Sequence, residues 1–246
     1  MKLLEATYES DLRLPLFNRY LCSDASNLAE VLRTVDAQGA GCWWITLDDH
    51  SQALYTSMHA REDDRLELRE DIDWDVAGAE AAYERRAYDH RLAQLDASAA
   101  TWSDVHLPAP VAAIADLVRI NAEPDLVVDS TVLLLNPPSA TPAAKLAALP
   151  NGYFSGDLDT FDNLAVCRRM EEHGWDSFGM GAATLGFRRA EPILDVGPLI
   201  ADLKSLYPTD GDADDYWSEL SATLATATVL LLFYTSAFGE TILPPT

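Results

Sequence analysis

Apolar residues recur at helical spacing at Leu28, Val31, Leu32 and Val35, the i, i+3, i+4, i+7 signature of one buried helix face. Asn27 with Glu30 has the form of a capping box, and Gly39 stands where a helix stop belongs. This spacing predicts a helix. From Gly41 to Leu47 the run GCWWITL concentrates aromatic and β-branched residues ahead of the turn-like Asp48, Asp49, His50 and Ser51, which predicts a strand. Residues Ala53 to Met58 read as its returning partner, closing a hairpin. Adjacent strand residues point to opposite faces, so Trp43 and Trp44 cannot enter one core. Trp43 shares a face with Ile45 and Leu47, Trp44 with Cys42 and Thr46, and both are expected to be buried against opposite layers.

Downstream, Val76 to Leu95 has Ala77, Ala81, Tyr88, Leu92 and Leu95 at helical spacing and predicts a long amphipathic helix. The small residues and prolines of Ala97 to Pro110 read as a connection between lobes. Val111 to Ile120 predicts a helix and Leu126 to Leu135 a strand, with Val132 to Leu135 continuously apolar, as in a strand covered on both faces. NPPSATP from Asn136 breaks it. Asp159 or Thr160 caps a helix to about His173, stopped by Gly174, and Ala182 to Phe187 reads as a strand. Val196, Leu199, Ile200 and Leu203 mark a further helix, Trp217, Leu220 and Leu224 the next, and Thr228 to Tyr234 a buried strand. Strands alternating with helices predict an α/β protein: a central mixed sheet with helical cover, one compact body in two lobes. The lobes are an N-terminal helix–hairpin–helix unit over 1–107 and a C-terminal α/β unit over 108–246.

Composition supports a folded body, because 48% of the 246 residues are hydrophobic and 9% aromatic. The charge is what stands out. Forty Asp and Glu oppose 17 Lys and Arg, a formal net charge of -23, more than solubility asks of a domain this size. Such a surface repels nucleic acid and anionic lipid, which bind through Lys and Arg. Cys22, Cys42 and Cys167 have no CxxC spacing and read as reduced, buried thiols. The N-terminal segment acquires Glu5, Glu9 and Asp11 before any apolar stretch long enough for the core of a signal peptide, and Val229 to Tyr234, the most apolar run, falls far short of the roughly 20 residues that span a bilayer. No membrane association and a cytoplasmic location are expected.

Candidate chemistry is sparse. Asp210, Asp212 and Asp214 begin like a calcium loop, but Asp215 and Ser221 occupy the places of its Gly and bidentate Glu; a solvated acidic turn whose last Asp caps the next helix fits better. Asp157 and Asp159 form a DxD pair able to present oxygens to magnesium, although a cap role explains Asp159. The glycines at 179, 181 and 186 resemble a phosphate loop, but Thr184 replaces the third fingerprint glycine and no Lys follows. Close strand packing explains them. The five histidines lack metal spacing, and neither a GxSxG elbow nor a recognisable cysteine nucleophile occurs. No catalytic residue, metal ligand or cofactor is assigned.

The expected function is therefore that of an acidic cytoplasmic interaction protein that binds and neutralises a basic protein, in the manner of a bacterial immunity protein or an inhibitor. Two segments mix carboxylates with a Trp able to anchor a partner. The first supplies Asp63, Asp64, Glu67, Glu70, Asp71, Asp73, Trp74 and Asp75; the second supplies Asp210, Asp212, Asp215, Trp217 and Glu219. An alternative is a metal-dependent hydrolase or transferase using Asp157 and Asp159. A third is acidity for solubility alone, as in halophilic adaptation.

Overall fold

The computed structural model describes residues 2–5, 19–39 and 42–236. Along the chain lie β1 (Lys2–Glu5), β2 (Arg19–Ser23), α1 (Leu28–Ala37), β3 (Trp44–Thr46), α2 (His50–Ala60), α3 (Ala79–Asp96), α4 (Val111–Ala122) and β4 (Thr131–Leu135). Then follow α5 (Pro142–Ala148), α6 (Thr160–Glu172), β5 (Asp176–Met180), β6 (Thr184–Arg188), α7 (Gly197–Leu206), α8 (Asp214–Leu224) and β7 (Val229–Phe233). The strands form one seven-stranded mixed sheet in the order β1-β2-β4-β3-β5-β6-β7. Among the described strands only β3 and β5 run parallel; every other neighbouring pair is antiparallel. All of Val132 to Leu135 and Leu230 to Phe233 is buried. Successive side chains point to opposite faces, so helices cover both sides of the sheet. This is the expected α/β class. Strands from both sides of the 107/108 division share the sheet, because β4 lies between β2 and β3.

The hairpin expected at residues 41–58 is corrected. Asp49 accepts a hydrogen bond from the Gln52 N–H (2.9 Å) and caps a helix, not a turn. The buried positions of α2 are Ala53, Thr56, Ser57 and Ala60: helical spacing carried by small and polar residues, invisible to a search for large apolar ones. Trp44, not Trp43, enters the core, with 0% exposure, while Trp43 precedes the strand and is half-buried. Gly41, where the predicted strand began, lies outside the described residues, as do Glu9 and Asp11. On α3 the buried side is Ala87, Tyr88, Arg91 and Leu95, while Ala77 precedes the helix and is exposed.

Helix α5 is wholly buried, and the chain spends cations on it. Its last turn leaves carbonyls without intrahelical partners. Arg91 Nε donates to the Ala147 carbonyl (2.9 Å) and Arg61 Nη2 to that of Ala148 (3.3 Å). From within the helix, Lys145 Nζ donates to the Ser177 carbonyl of β5 at 2.5 Å. Arg91 and Lys145 are buried and Arg61 is half-buried, so these positive charges are turned largely away from solvent.

The outer edge of β7 is closed by side chains. Asn121 of α4 accepts from the Leu231 N–H (2.9 Å) and donates to the Leu231 carbonyl (2.9 Å), as a neighbouring strand would, and the Tyr207 hydroxyl donates to the Phe233 carbonyl (2.7 Å). An apolar strand with an open edge invites pairing with another chain; these groups occupy it.

Candidate interaction surface

Four aromatic rings meet on the surface where α2 faces the loop following α5. His59 of α2 stacks on Tyr153 (ring centroids 4.8 Å, interplanar angle 27°) and meets Tyr55 edge-on at 4.6 Å; Tyr153 meets Phe154 at 5.4 Å. Tyr55 is 50% exposed, Tyr153 49%, Phe154 48% and the neighbouring Met58 52%. Helical spacing explains the first half: Tyr55, Met58 and His59 at i, i+3, i+4 share the face of α2 opposite its small buried residues. The second half comes from NGYFSG, whose glycines bend the loop. Gly152 has φ +94, and a Cβ there would lie 2.0 Å from the Leu158 carbonyl oxygen, so no other residue fits.

Acids border the rings. Glu62 lies 3.2 Å from His59 Nδ1. Asp157 accepts from the Phe154 N–H (3.0 Å), and burial pushes its carboxyl above the ordinary carboxylate range. Beyond it Arg65 lies 4.1 Å over the Phe161 ring and bridges Asp63 (2.7 Å) and Asp159 (2.6 Å).

Beneath the patch is a buried polar node at the C-terminal ends of β3 and β5. Asn151, with 0% exposure, donates through Nδ2 to the carbonyls of Gly181 (3.0 Å) and Ala53 (3.4 Å), accepts from the Gly152 N–H (2.9 Å), and receives the Thr160 hydroxyl on its own carbonyl. The Tyr234 hydroxyl donates to the same Gly181 carbonyl at 2.7 Å. Alongside, Asp48 is buried with φ +29, and its carboxylate accepts from the N–H groups of Ala182 (2.5 Å), Ala183 (3.3 Å) and Thr184 (3.0 Å) and from the Thr184 hydroxyl. Burial raises this carboxyl from 3.8 to about 6 against the pull of those hydrogen bonds. Thus the glycine-rich stretch 179–186 holds an internal carboxylate, and a Cβ at Gly181 would stand 2.1 Å from it.

No family model, curated protein or solved structure matches this chain.

The first expected segment starts beside the patch, where Glu62 meets His59 and Arg65 meets Asp159, and then runs along α3, which Glu70 and Trp74 meet at Arg86 and Tyr83. It is neither strand nor helix but a turn-rich connector, and many of its acids already hold cations of this chain: Asp63 pairs with Arg65, Asp64 and Glu67 with Arg69, and Glu70 with Arg86. Exposed ion pairs of this kind contribute little to stability. Asp71, Asp73 and Asp75 are exposed around Trp74, itself 60% exposed and edge-on to Tyr83 at 5.6 Å.

The second segment is corrected in two respects. Trp217 is only 5% exposed, because with Leu220 and Leu224 it forms the core face of α8, so it presents no anchor. Nor does Asp215 cap α8: Asp212 accepts from the Asp214 N–H (3.0 Å), while Asp214 and Asp215 occupy the first turn, with Lys204 2.9 Å from Asp214. Asp210 and Glu219 are exposed. A cavity of about 280 Å³ opens between Lys204, Tyr207, Asp212, Asp214 and Trp217.

Asp157 and Asp159 serve separate local tasks. Asp159 caps α6, accepting from the Phe161 and Asp162 N–H groups, and Asp157 holds the loop at Phe154. Among the described residues no three His, Cys, Asp or Glu side chains gather as a metal site, and no helix is long and apolar enough to cross a membrane.

Sequence reasoning missed Tyr55, Met58, His59, Tyr153 and Phe154. Adjacent aromatics inside a Gly- and Ser-flanked loop were the available signal, since such loops lie on the surface.

Proposed function

We propose that this protein binds a basic protein partner through the Tyr55–Tyr153 patch, guided there by the acids of the 61–75 connector, and so acts as a neutralising or inhibitory partner. One observation carries the reading: half-exposed aromatic rings in mutual contact beside an acid-rich segment, on a chain of net charge -23. Rings of this kind supply contact area at low entropic cost and dominate binding hot spots. Carboxylates around them attract a cationic partner over distances of about a Debye length, ~10 Å at 0.1 M salt, and raise the association rate. The inward-turned cations serving α5 leave the outer surface more negative still.

The test is association with candidate basic proteins across a salt series. The on-rate is expected to fall by at least about tenfold from low to high salt, and truncating Tyr153 or Phe154 to raise the off-rate. An on-rate indifferent to salt removes the electrostatic half; an off-rate indifferent to both truncations removes the patch.

A further inference from the structure

We infer that Asn151 is the positioning residue of this surface: one buried amide locks the two halves of the aromatic patch into a preformed binding geometry. This rests on reading the patch as the binding site.

The patch is built from two separate chain segments, and rings on different segments stay stacked only if the backbones beneath them are fixed. Asn151 lies directly before the loop bearing Tyr153 and Phe154. Its Nδ2 reaches the carbonyl of Ala53, on the buried side of the helix bearing Tyr55, Met58 and His59 (3.4 Å), and that of Gly181 at the end of β5 (3.0 Å). Its Oδ1 takes the Gly152 N–H (2.9 Å), which fixes the entry to NGYFSG. Helix, loop and sheet thus converge on one side chain with no exposure to solvent, and amide geometry suits the task because it supplies donors and an acceptor together. Tyr234 completes the node from the strand side, at the Gly181 carbonyl. A surface held this way loses little side-chain freedom when a partner arrives, and preorganisation of this sort raises affinity without adding a contact.

The test compares Asn151→Ala with Thr160→Ala, which removes the hydroxyl bond to the Asn151 backbone (2.9 Å) but leaves the amide bridge in place. In the free protein, nuclear Overhauser contacts between the His59 and Tyr153 rings are expected to vanish in Asn151→Ala and persist in Thr160→Ala, with the β6–β7 amide spectrum retained in both. Affinity for a hexa-arginine peptide at low salt is expected to fall about tenfold in the first variant alone. Ring contacts intact in folded Asn151→Ala, or lost equally in Thr160→Ala, would overturn the inference. If Asn151→Ala does not fold, the wild-type Gly152 amide decides: exchange as slow as the β6–β7 core supports the lock, and fast exchange refutes it. The ring contacts need no ligand, so wild-type protein that ignores the peptide defeats the binding proposal while leaving this one standing or falling by itself.

Discussion

Replacing Asn121 by Leu should expose how the sheet ends. The two side chains are of similar size, so the change removes hydrogen bonds with little loss of packing. Leu231 then keeps a backbone N–H and a carbonyl, each formerly bonded at 2.9 Å, in a position with 0% exposure. The third bond of Asn121, to Leu117 of its own helix (2.9 Å), matters less, because that carbonyl also accepts an intrahelical N–H. A buried backbone group left without a partner costs about 1–3 kcal/mol, so two of them predict a loss of about 2–6 kcal/mol. Against the 5–15 kcal/mol typical of a domain, that is a large fraction. Urea unfolding followed by circular dichroism should show a lower midpoint at unchanged slope, and the Leu231 amide should lose its exchange protection. Asn121→Asp keeps the acceptor, loses the donor and buries a charge, so it should fare no better. A change below about 1 kcal/mol in Asn121→Leu would mean that side chains do not seal this edge, and the account of β7 would fail.

Other expectations concern single sites. Trp217→Ala should cost about 3–5 kcal/mol as a large core truncation, whereas Trp74→Ala should change stability by less than about 1 kcal/mol; equal effects in thermal melts would contradict their opposite burial. Gly152→Ala combines a left-handed backbone with a Cβ collision on the Leu158 carbonyl, so its melting temperature should fall sharply, and wild-type stability would refute the loop geometry. The Asp48 carboxyl carbon, followed by NMR, should titrate near 6. A folded value raised above the ordinary 3.8 means that this group's contribution, up to about 3 kcal/mol, is fully present below pH 3.8 and lost as pH rises through about 6. Titration near 4 would show that its hydrogen bonds outweigh its burial.

The strongly periodic elements were legible in the sequence. Helices α1, α4, α6, α7 and α8 announce themselves through large apolar residues or capping side chains, and β4 and β7 through unbroken apolar runs. Helix α2 was not legible, because its buried face is small and polar and aromatic residues lie on the outside, inverting the usual signal. Helix α5 is buried all round and so has no polar face for periodicity to detect, while its charged contacts come from Arg61 and Arg91 elsewhere in the chain. Strand β5 carries a glycine where its neighbour's backbone comes close: a Cβ on Gly179 would lie 2.7 Å from the Ile45 carbonyl. One half of the aromatic patch lies on α2, and the other in the loop that follows α5. The acidic segments were visible as composition, but only the fold separates acids that hold cations of the chain, such as Asp63 and Glu70, from Asp71, Asp73 and Asp75 around Trp74, and an outward Trp74 from an inward Trp217.

Charge is expected to bring a basic partner to one place, the aromatic patch. Amide and side-chain shifts recorded while hexa-arginine is titrated into the protein at low salt test it most directly. Shifts should concentrate at Tyr55, Met58, His59, Glu62, Tyr153 and Phe154 and weaken as salt is added. Shifts spread evenly over the acidic surface, or centred on 210–219, would contradict it.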